Sequence, residues 1–390
     1  MRPRQGCLPG RPGTWEIGLS EGKISHVAKV TPEGQAQADD GDGQVWISPG
    51  FIDLQVNGFA GHDVNAERPT VDEIDQMIRA LWPTGVTLVL PTVVTGSYDR
   101  LERAMRTLAA AKRSTTVGAS ILGIHLEGPY ISPEDGPRGA HPKEHVRSPD
   151  WEEFCRLQDA AEGLIRLVTL APELAGAISF IEKTVASGTV VAIGHTAATS
   201  ADISAAIDAG ASLSTHLGNG AHAMIPRHPN YIWDQLAADE LYASLIPDGF
   251  HLPISVMKTF IRAKGTDRTI LVSDAVGVAG LQPGVYDVLG TEIELTRQGK
   301  VILSGTDLLA GSVLRLDEGI SNVFMSVGTS LAEALRMVTI NPAKLLRVDD
   351  RIGAIRTGME ANLTLFRLNG RNEIVVAETI VAGESVFTGR

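Results

Sequence analysis

From Val45 onward the chain repeats one unit for about 300 residues: a short apolar run, a polar turn, an amphipathic stretch of helical period, then another apolar run. Such alternation commits a chain to parallel strands with helices packed over them, because parallel neighbours can be joined only by a crossover long enough to hold a helix. The apolar runs fall at Gly50–Val56, Val86–Val94, Ile121–Glu127, Ile165–Leu170, Val190–His195, Ser212–His216, Ala243–Pro247 and Thr269–Val272. Eight in succession is the number that closes a (β/α)8 barrel, so the expected class is α/β with a TIM-like barrel. Between the runs lie helix signals. Thr70–Glu73 is a capping box ahead of Ile74, Met77, Ile78 and Leu81 on one face, Ser330–Glu333 is another, and Pro342 suits the first turn of a further helix.

The 390 residues exceed one barrel of about 250, and the surplus lies at the two ends. Trp15–Val30 reads as a hairpin turning at Glu21–Lys23, Pro32–Gly43 as a polar, glycine-rich loop, and Ala361–Phe366 and Glu373–Phe387 as strands separated by an Asn369-Gly370 turn. Residues 1–48 and 346–390 are therefore expected to meet in a small β-sandwich domain beside a barrel of residues 49–345. A β-rich excursion, Val285–Leu303, follows the eighth run.

Charge excludes some partners. With a net charge of −12 and no run of Lys or Arg, the chain is not built to bind nucleic acid or an anionic membrane in general, although a local cluster could still hold an anionic small molecule. Cys7 and Cys155 are isolated and form neither a disulfide framework nor a thiolate metal site. The N-terminus lacks the apolar stretch of a signal peptide, and no segment approaches about 18 apolar residues, so a cytoplasmic protein is expected.

The chemistry sits where the apolar runs end. His125 and Glu127 are two apart on one run and so share a face, and Gly128-Pro129 stops the strand directly after the carboxylate. A buried carboxylate needs a counter-charge or a metal. His195, His216, His251 and Asp274 close later runs at intervals of roughly one β/α unit, which in a barrel converges them on one mouth. Glu127, His195 and His216 form a carboxylate-plus-two-imidazole set suited to zinc or a neighbouring divalent ion with one position left for water. Asp274 is then the general base toward that water, and His251 stabilises an oxyanion or fixes the substrate. The reaction read from these residues is hydrolysis of an amide.

The segments PGFIDLQVNG (49–58), HLEGP (125–129), LAPE (170–173), GHT (194–196), THL (215–217), DGFH (248–251) and SDA (273–275) together resemble the N-acetylglucosamine-6-phosphate deacetylases of the amidohydrolase superfamily, over nearly the whole chain. The resemblance implies Glu127, His195 and His216 as metal ligands, Asp274 as acid/base, and a small amino-sugar substrate. It also implies a sugar site lined by Ala140, His141, Asn219, Gly220, Asp248 to His251, Leu309, Ala310 and Gly311. A homodimer is expected from the resemblance alone.

Two departures matter. Where many amidohydrolases carry H-x-H on the first strand, this chain has Gln55 and Asn57, poor ligands for a second transition metal, so one ion is expected; the two amides either form a polar turn beside Gly58 or contact substrate. After His216 the chain reads GNGAHAMIPRHPN (218–230) instead of the usual Asn-Ala-Met and Arg-Glu-Pro-Gly. Arg227 is the counterpart offered for the phosphate-binding arginine, while His222, Arg227 and His228 could equally form a solvated loop. An unphosphorylated N-acetyl sugar, or another N-acyl or cyclic amide, is the alternative substrate.

Overall fold

The computed structural model describes residues 3–31, 43–114, 116–288 and 291–389, so all of the Pro32–Gly43 loop except Gly43 lies outside the described residues. Eight parallel strands follow one another in sequence order around the barrel: Phe51–Val56, Val86–Val94, Ile124–Glu127, Ile165–Leu170, Val190–Ile193, Leu213–Ser214, Tyr242–Leu245 and Thr269–Leu271. Several are shorter than the apolar runs that encode them. The fifth and sixth stop before His195 and His216 because those residues turn into the left-handed backbone region, with φ of +51° and +28°; Asp274, past the eighth strand, does the same at +49°.

Closure of the barrel is uneven. At the lower end the 336–339 segment comes between the first and eighth strands, its Val338 and Met337 carbonyls accepting from Ile52 N–H (2.8 Å) and Leu271 N–H (3.1 Å). At the upper end the two edges meet directly, Asp274 N–H on the Gln55 carbonyl at 2.9 Å and Asn57 N–H on the Ala275 carbonyl at 2.7 Å. Between these levels the fully buried Asp53 fills the seam, its Oδ1 accepting from Ser273 N–H at 3.2 Å and Gln55 N–H at 3.3 Å. Burial pushes its carboxyl up to about 7.

The folded state therefore binds this proton more tightly than the unfolded chain. The resulting stability is full below the ordinary value of 3.8 and is lost as pH rises through about 7. Asp53→Asn keeps the acceptor oxygen and removes the charge. Any penalty from its buried amide is the same at every pH, whereas the wild-type loss, on the order of a few kcal/mol, disappears. Urea unfolding at pH 5 and pH 8 should show a smaller stability difference for the variant than for wild type; equal differences would remove Asp53 as the titrating group.

The barrel interior is apolar below and polar above. Ile52, Leu54, Leu88, Leu90, Leu167, Leu213 and Ile270 pack together with Leu345 and Leu346 from the C-terminal region. The helices supply the outer wall, and the first, Val71–Leu81, buries the Ile74, Met77, Ile78 and Leu81 face and carries the full Thr70–Glu73 capping box. Ser330 caps Leu331–Arg336 in the same way.

The chain ends form one seven-stranded sheet in the order 384–388, 374–381, 363–368, 46–49, 4–8, 11–20, 23–29. Strand Trp46–Pro49 leads straight into the first barrel strand, which fixes the sheet to the barrel. Arg4–Leu8, which shows no alternation, is nevertheless a strand because both of its edges are paired, with Arg11–Ser20 and with Trp46–Pro49. The excursion after the eighth strand is a three-stranded antiparallel sheet, Gly284–Val288, Thr291–Leu295 and Val301–Leu303.

Candidate active site

One layer above the leucines lies a row of buried polar groups that crosses the barrel. His125 Nε2 is 2.7 Å from Thr169 Oγ1, which is 2.7 Å from Thr215 Oγ1, and the other face of His125 looks toward Thr92 Oγ1 at 3.4 Å. Burial lowers His125 to about 4, so this imidazole is neutral. It supports the layer above and is not part of it.

That layer is the site. His216 Nε2 and His195 Nε2 lie 3.0 and 3.3 Å from the same oxygen, Glu127 Oε1, and 3.1 Å from each other. Three donors bonded to one ion at about 2.1 Å stand about 3.0–3.4 Å apart, so the spacing is that of a metal cradle. His195 donates Nδ1–H to the Pro137 carbonyl at 2.8 Å, which leaves Nε2 with its lone pair directed at the cradle. Burial opposes the charge on Glu127, yet its close contacts with the His195 and His216 imidazoles outweigh it and hold the carboxyl well below its usual range, while the same carboxylate raises His216 against its own burial. The donor set fits a divalent ion.

His141, expected only in the sugar site, also reaches this centre. A donor atom from each of Glu127, His141 and His195 lies within 4.8 Å of the other two, and the His141 and His195 rings meet edge-on at 4.4 Å. Thr95 Oγ1 holds His141 Nδ1 at 2.8 Å, and burial followed by the neighbouring His195 lowers His141 to about 3, so it is neutral.

The two amides of the first strand each reach one of the two carboxylates. Gln55 Nε2 donates to Glu127 Oε1 at 2.9 Å, and Asn57 Nδ2 donates to Asp274 Oδ1 at 2.8 Å. Each therefore orients one of the two candidate carboxylates. Burial, reinforced by the charge on Glu127, raises Asp274 to about 6, in reach of a general base near neutral pH.

The remaining sequence candidates differ in how directly they reach this centre. His251 Nδ1 is 2.6 Å from Asp248 Oδ2, which fixes its ring. Asn219 folds back on the His216 carbonyl through both its backbone and side-chain amides. Gly220 lies so close to His195 that a Cβ there would stand 2.7 Å from Nδ1. The Leu309–Gly311 segment leads into Ser312, whose N–H bonds the Asp274 carbonyl at 3.1 Å. Ala140 directly precedes His141. Arg227 and His228 are exposed. The Pro137 carbonyl and Thr95 matter without any motif signal, and Glu173, the last residue of the LAPE motif, accepts from Thr196 Oγ1 and from Ala197 N–H (2.7 Å) and so anchors the turn after His195.

Comparison with known proteins agrees with this geometry. The Amidohydrolase family profile matches residues 46–386. An N-acetylglucosamine-6-phosphate deacetylase of Bacillus subtilis (strain 168) is 34% identical over 383 residues, covering 96% of this chain and 93% of the relative. An N-acetylgalactosamine-6-phosphate deacetylase of Escherichia coli O157:H7 is 33% identical, with 81% and 82% covered. Among solved structures, an N-acetyl-D-glucosamine-6-phosphate deacetylase from Mycobacterium smegmatis, in complex with N-acetyl-D-glucosamine-6-phosphate, superposes with a TM-score of 0.86 at 31% identity over 97% of this chain and 95% of the other. With the barrel, the cradle and these relatives in agreement, the chain belongs to the N-acetylglucosamine-6-phosphate deacetylase family of amidohydrolases.

Proposed function

We propose that the chain hydrolyses the acetamide of an N-acetyl amino sugar 6-phosphate, with N-acetylglucosamine-6-phosphate as substrate and glucosamine-6-phosphate and acetate as products. The observation that carries this reading is the convergence of Glu127, His195 and His216 beside a general base that Asn57 holds in place. Zinc is the ion this nitrogen and oxygen set suits, held by Glu127, His195 and His216; bound there, it supplies Lewis acidity and lowers the pKa of water.

The protein's own groups supply the rest. Asn57 occupies Oδ1 of Asp274, leaving Oδ2 to take the proton of the attacking water and return it to the amine as the C–N bond breaks. His141, tied through Nδ1 to Thr95, turns Nε2 toward the acyl oxygen, and His251, tied to Asp248, faces the sugar. Arg227 receives the phosphate. Since a sugar phosphate is too charged to cross a membrane unaided, the reaction belongs in the cytoplasm. Among the described residues, no helix is long and apolar enough to cross a membrane.

A second reading, the galactosamine epimer, is favoured by the relatives that bear that name at 33% and 34% identity. Exposed Met224 lies in the Arg227 loop, and exposed Trp233 and Ile254 lie on helices Tyr231–Ala237 and Ile254–Lys264, which pack together, a rim suited to a second copy of the chain.

Amine release from both N-acetylhexosamine 6-phosphates and from N-acetylglucosamine, measured side by side on metal-loaded protein, tests the proposal. The phosphorylated glucosamine should be preferred by at least about a hundredfold in kcat/KM, and Arg227→Ala should raise KM for the phosphorylated substrate about tenfold or more with little change for the unphosphorylated one. Preference for the galactosamine epimer would establish the second reading. Equal effects of Arg227→Ala on both sugars would refute the phosphate contact.

A further inference from the structure

The loop after the sixth strand carries His222, and through that residue it reaches another loop. His222 N–H donates to Tyr231 Oη at 2.9 Å, and His222 Nδ1 lies 3.1 Å from the same oxygen. Tyr231 is buried at the start of helix Tyr231–Ala237, so this end of the imidazole is fixed to the barrel wall. With the phenol proton given to Nδ1, the other ring nitrogen carries hydrogen. That nitrogen, Nε2, lies 3.1 Å from Glu134 Oε2, in the loop after the third strand.

The Glu134 loop is wired to the catalytic centre. Its Glu134 carbonyl accepts from Arg138 N–H at 2.9 Å, the Arg138 guanidinium holds the His141 carbonyl at 2.8 Å, and the Pro137 carbonyl between them orients His195. Packing reinforces the link. Gly136, with φ of +97°, passes so near the His222 backbone that a Cβ would stand 2.9 Å from His222 Cα. Asn219, Gly220 and Arg227 ride on one loop, His141 and the support of His195 on the other.

We propose that His222 is a positioning residue: its Nε2–H bond to Glu134 locks the sugar-binding loop onto the loop that orients His141 and His195. An exposed ion pair would contribute little to stability. Here the contribution is geometric, because a loop released by about 1 Å misplaces the groups it carries. The proposal rests on the deacetylase reading for its kinetic consequence, but the link between the loops exists whatever the substrate.

The test exploits the different reach of two amides. Asparagine places its polar atoms near the position of Nδ1 and can address Tyr231 only; glutamine extends to the position of Nε2 and can address Glu134. On metal-loaded enzyme, His222→Asn and His222→Ala should raise KM for N-acetylglucosamine-6-phosphate about tenfold with kcat within about threefold, and His222→Gln should restore KM to within about threefold of wild type. Glu134→Gln, which keeps an acceptor, should behave like wild type. Hydrogen exchange on the same proteins should show faster exchange in residues 134–141 and 218–230 for the Asn and Ala variants only. Equal KM in all variants, or a Gln variant as impaired as Ala, overturns the proposal. Should wild type fail to act on the sugar phosphate, the substrate reading falls; the exchange pattern alone then decides the link, and unchanged exchange in His222→Ala overturns it.

Discussion

Asp274→Asn should lower kcat by about a thousandfold or more while the protein still takes up its divalent ion. The geometry makes this substitution unusually clean. Asn57 Nδ2 donates to Asp274 Oδ1 at 2.8 Å, and an asparagine carbonyl at that place accepts the same bond. The backbone at 274 is held independently, its N–H on the Gln55 carbonyl and its carbonyl under Ser312 N–H. Shape and position therefore survive, and what is lost is the second carboxylate oxygen, the group able to accept a proton. Steady-state kinetics with metal analysis of the same preparation separates the roles. Turnover within tenfold of wild type would remove Asp274 from the proton path; loss of bound metal would assign it to the cradle instead.

Whether such a site was legible in the sequence differs residue by residue. The capping boxes at Thr70 and Ser330 and the apolar runs were readable because helix termini and strand cores are local, and the structure bears them out. The convergence of Glu127, His195 and His216 was readable because barrel topology turns a regular spacing along the chain into a ring of side chains at one level.

What could not be read depends on contacts without residue preference. Arg4–Leu8 is a strand only because two neighbours pair with it. His195 takes its tautomer from a backbone carbonyl 58 positions away, and any residue could have offered one. Gln55 and Asn57 looked like neutral substitutes for absent histidines, and only their proximity to Glu127 and Asp274 showed that they orient the two carboxylates. The left-handed backbone at His195, His216 and Asp274 is signalled only weakly by residue type, since histidine and aspartate enter that region more often than most residues but still seldom; strain of this kind collects where function fixes the side chain.

Glu127→Gln is the second large effect, and its expected outcome is loss of the metal. One oxygen of Glu127 receives Gln55 Nε2, His195 Nε2 and His216 Nε2 within 3.3 Å, so the cradle is organised around that atom. Its negative charge would also offset the dication that it shares with the two imidazoles, in a space where Glu127, His195 and His216 are all buried. Glutamine keeps the volume but presents either a neutral oxygen, a weak ligand, or an amide N–H that repels the Gln55 donor. Metal affinity should fall at least about a hundredfold, and activity with it. Competitive titration with a chromophoric chelator reads affinity directly, and the thermal midpoint of the metal-free proteins shows whether folding is disturbed. A purely structural role would reverse the pattern, lowering the metal-free midpoint while leaving affinity near wild type. Affinity lost with the metal-free midpoint preserved would make Glu127 the anionic ligand around which the three strand ends were brought together.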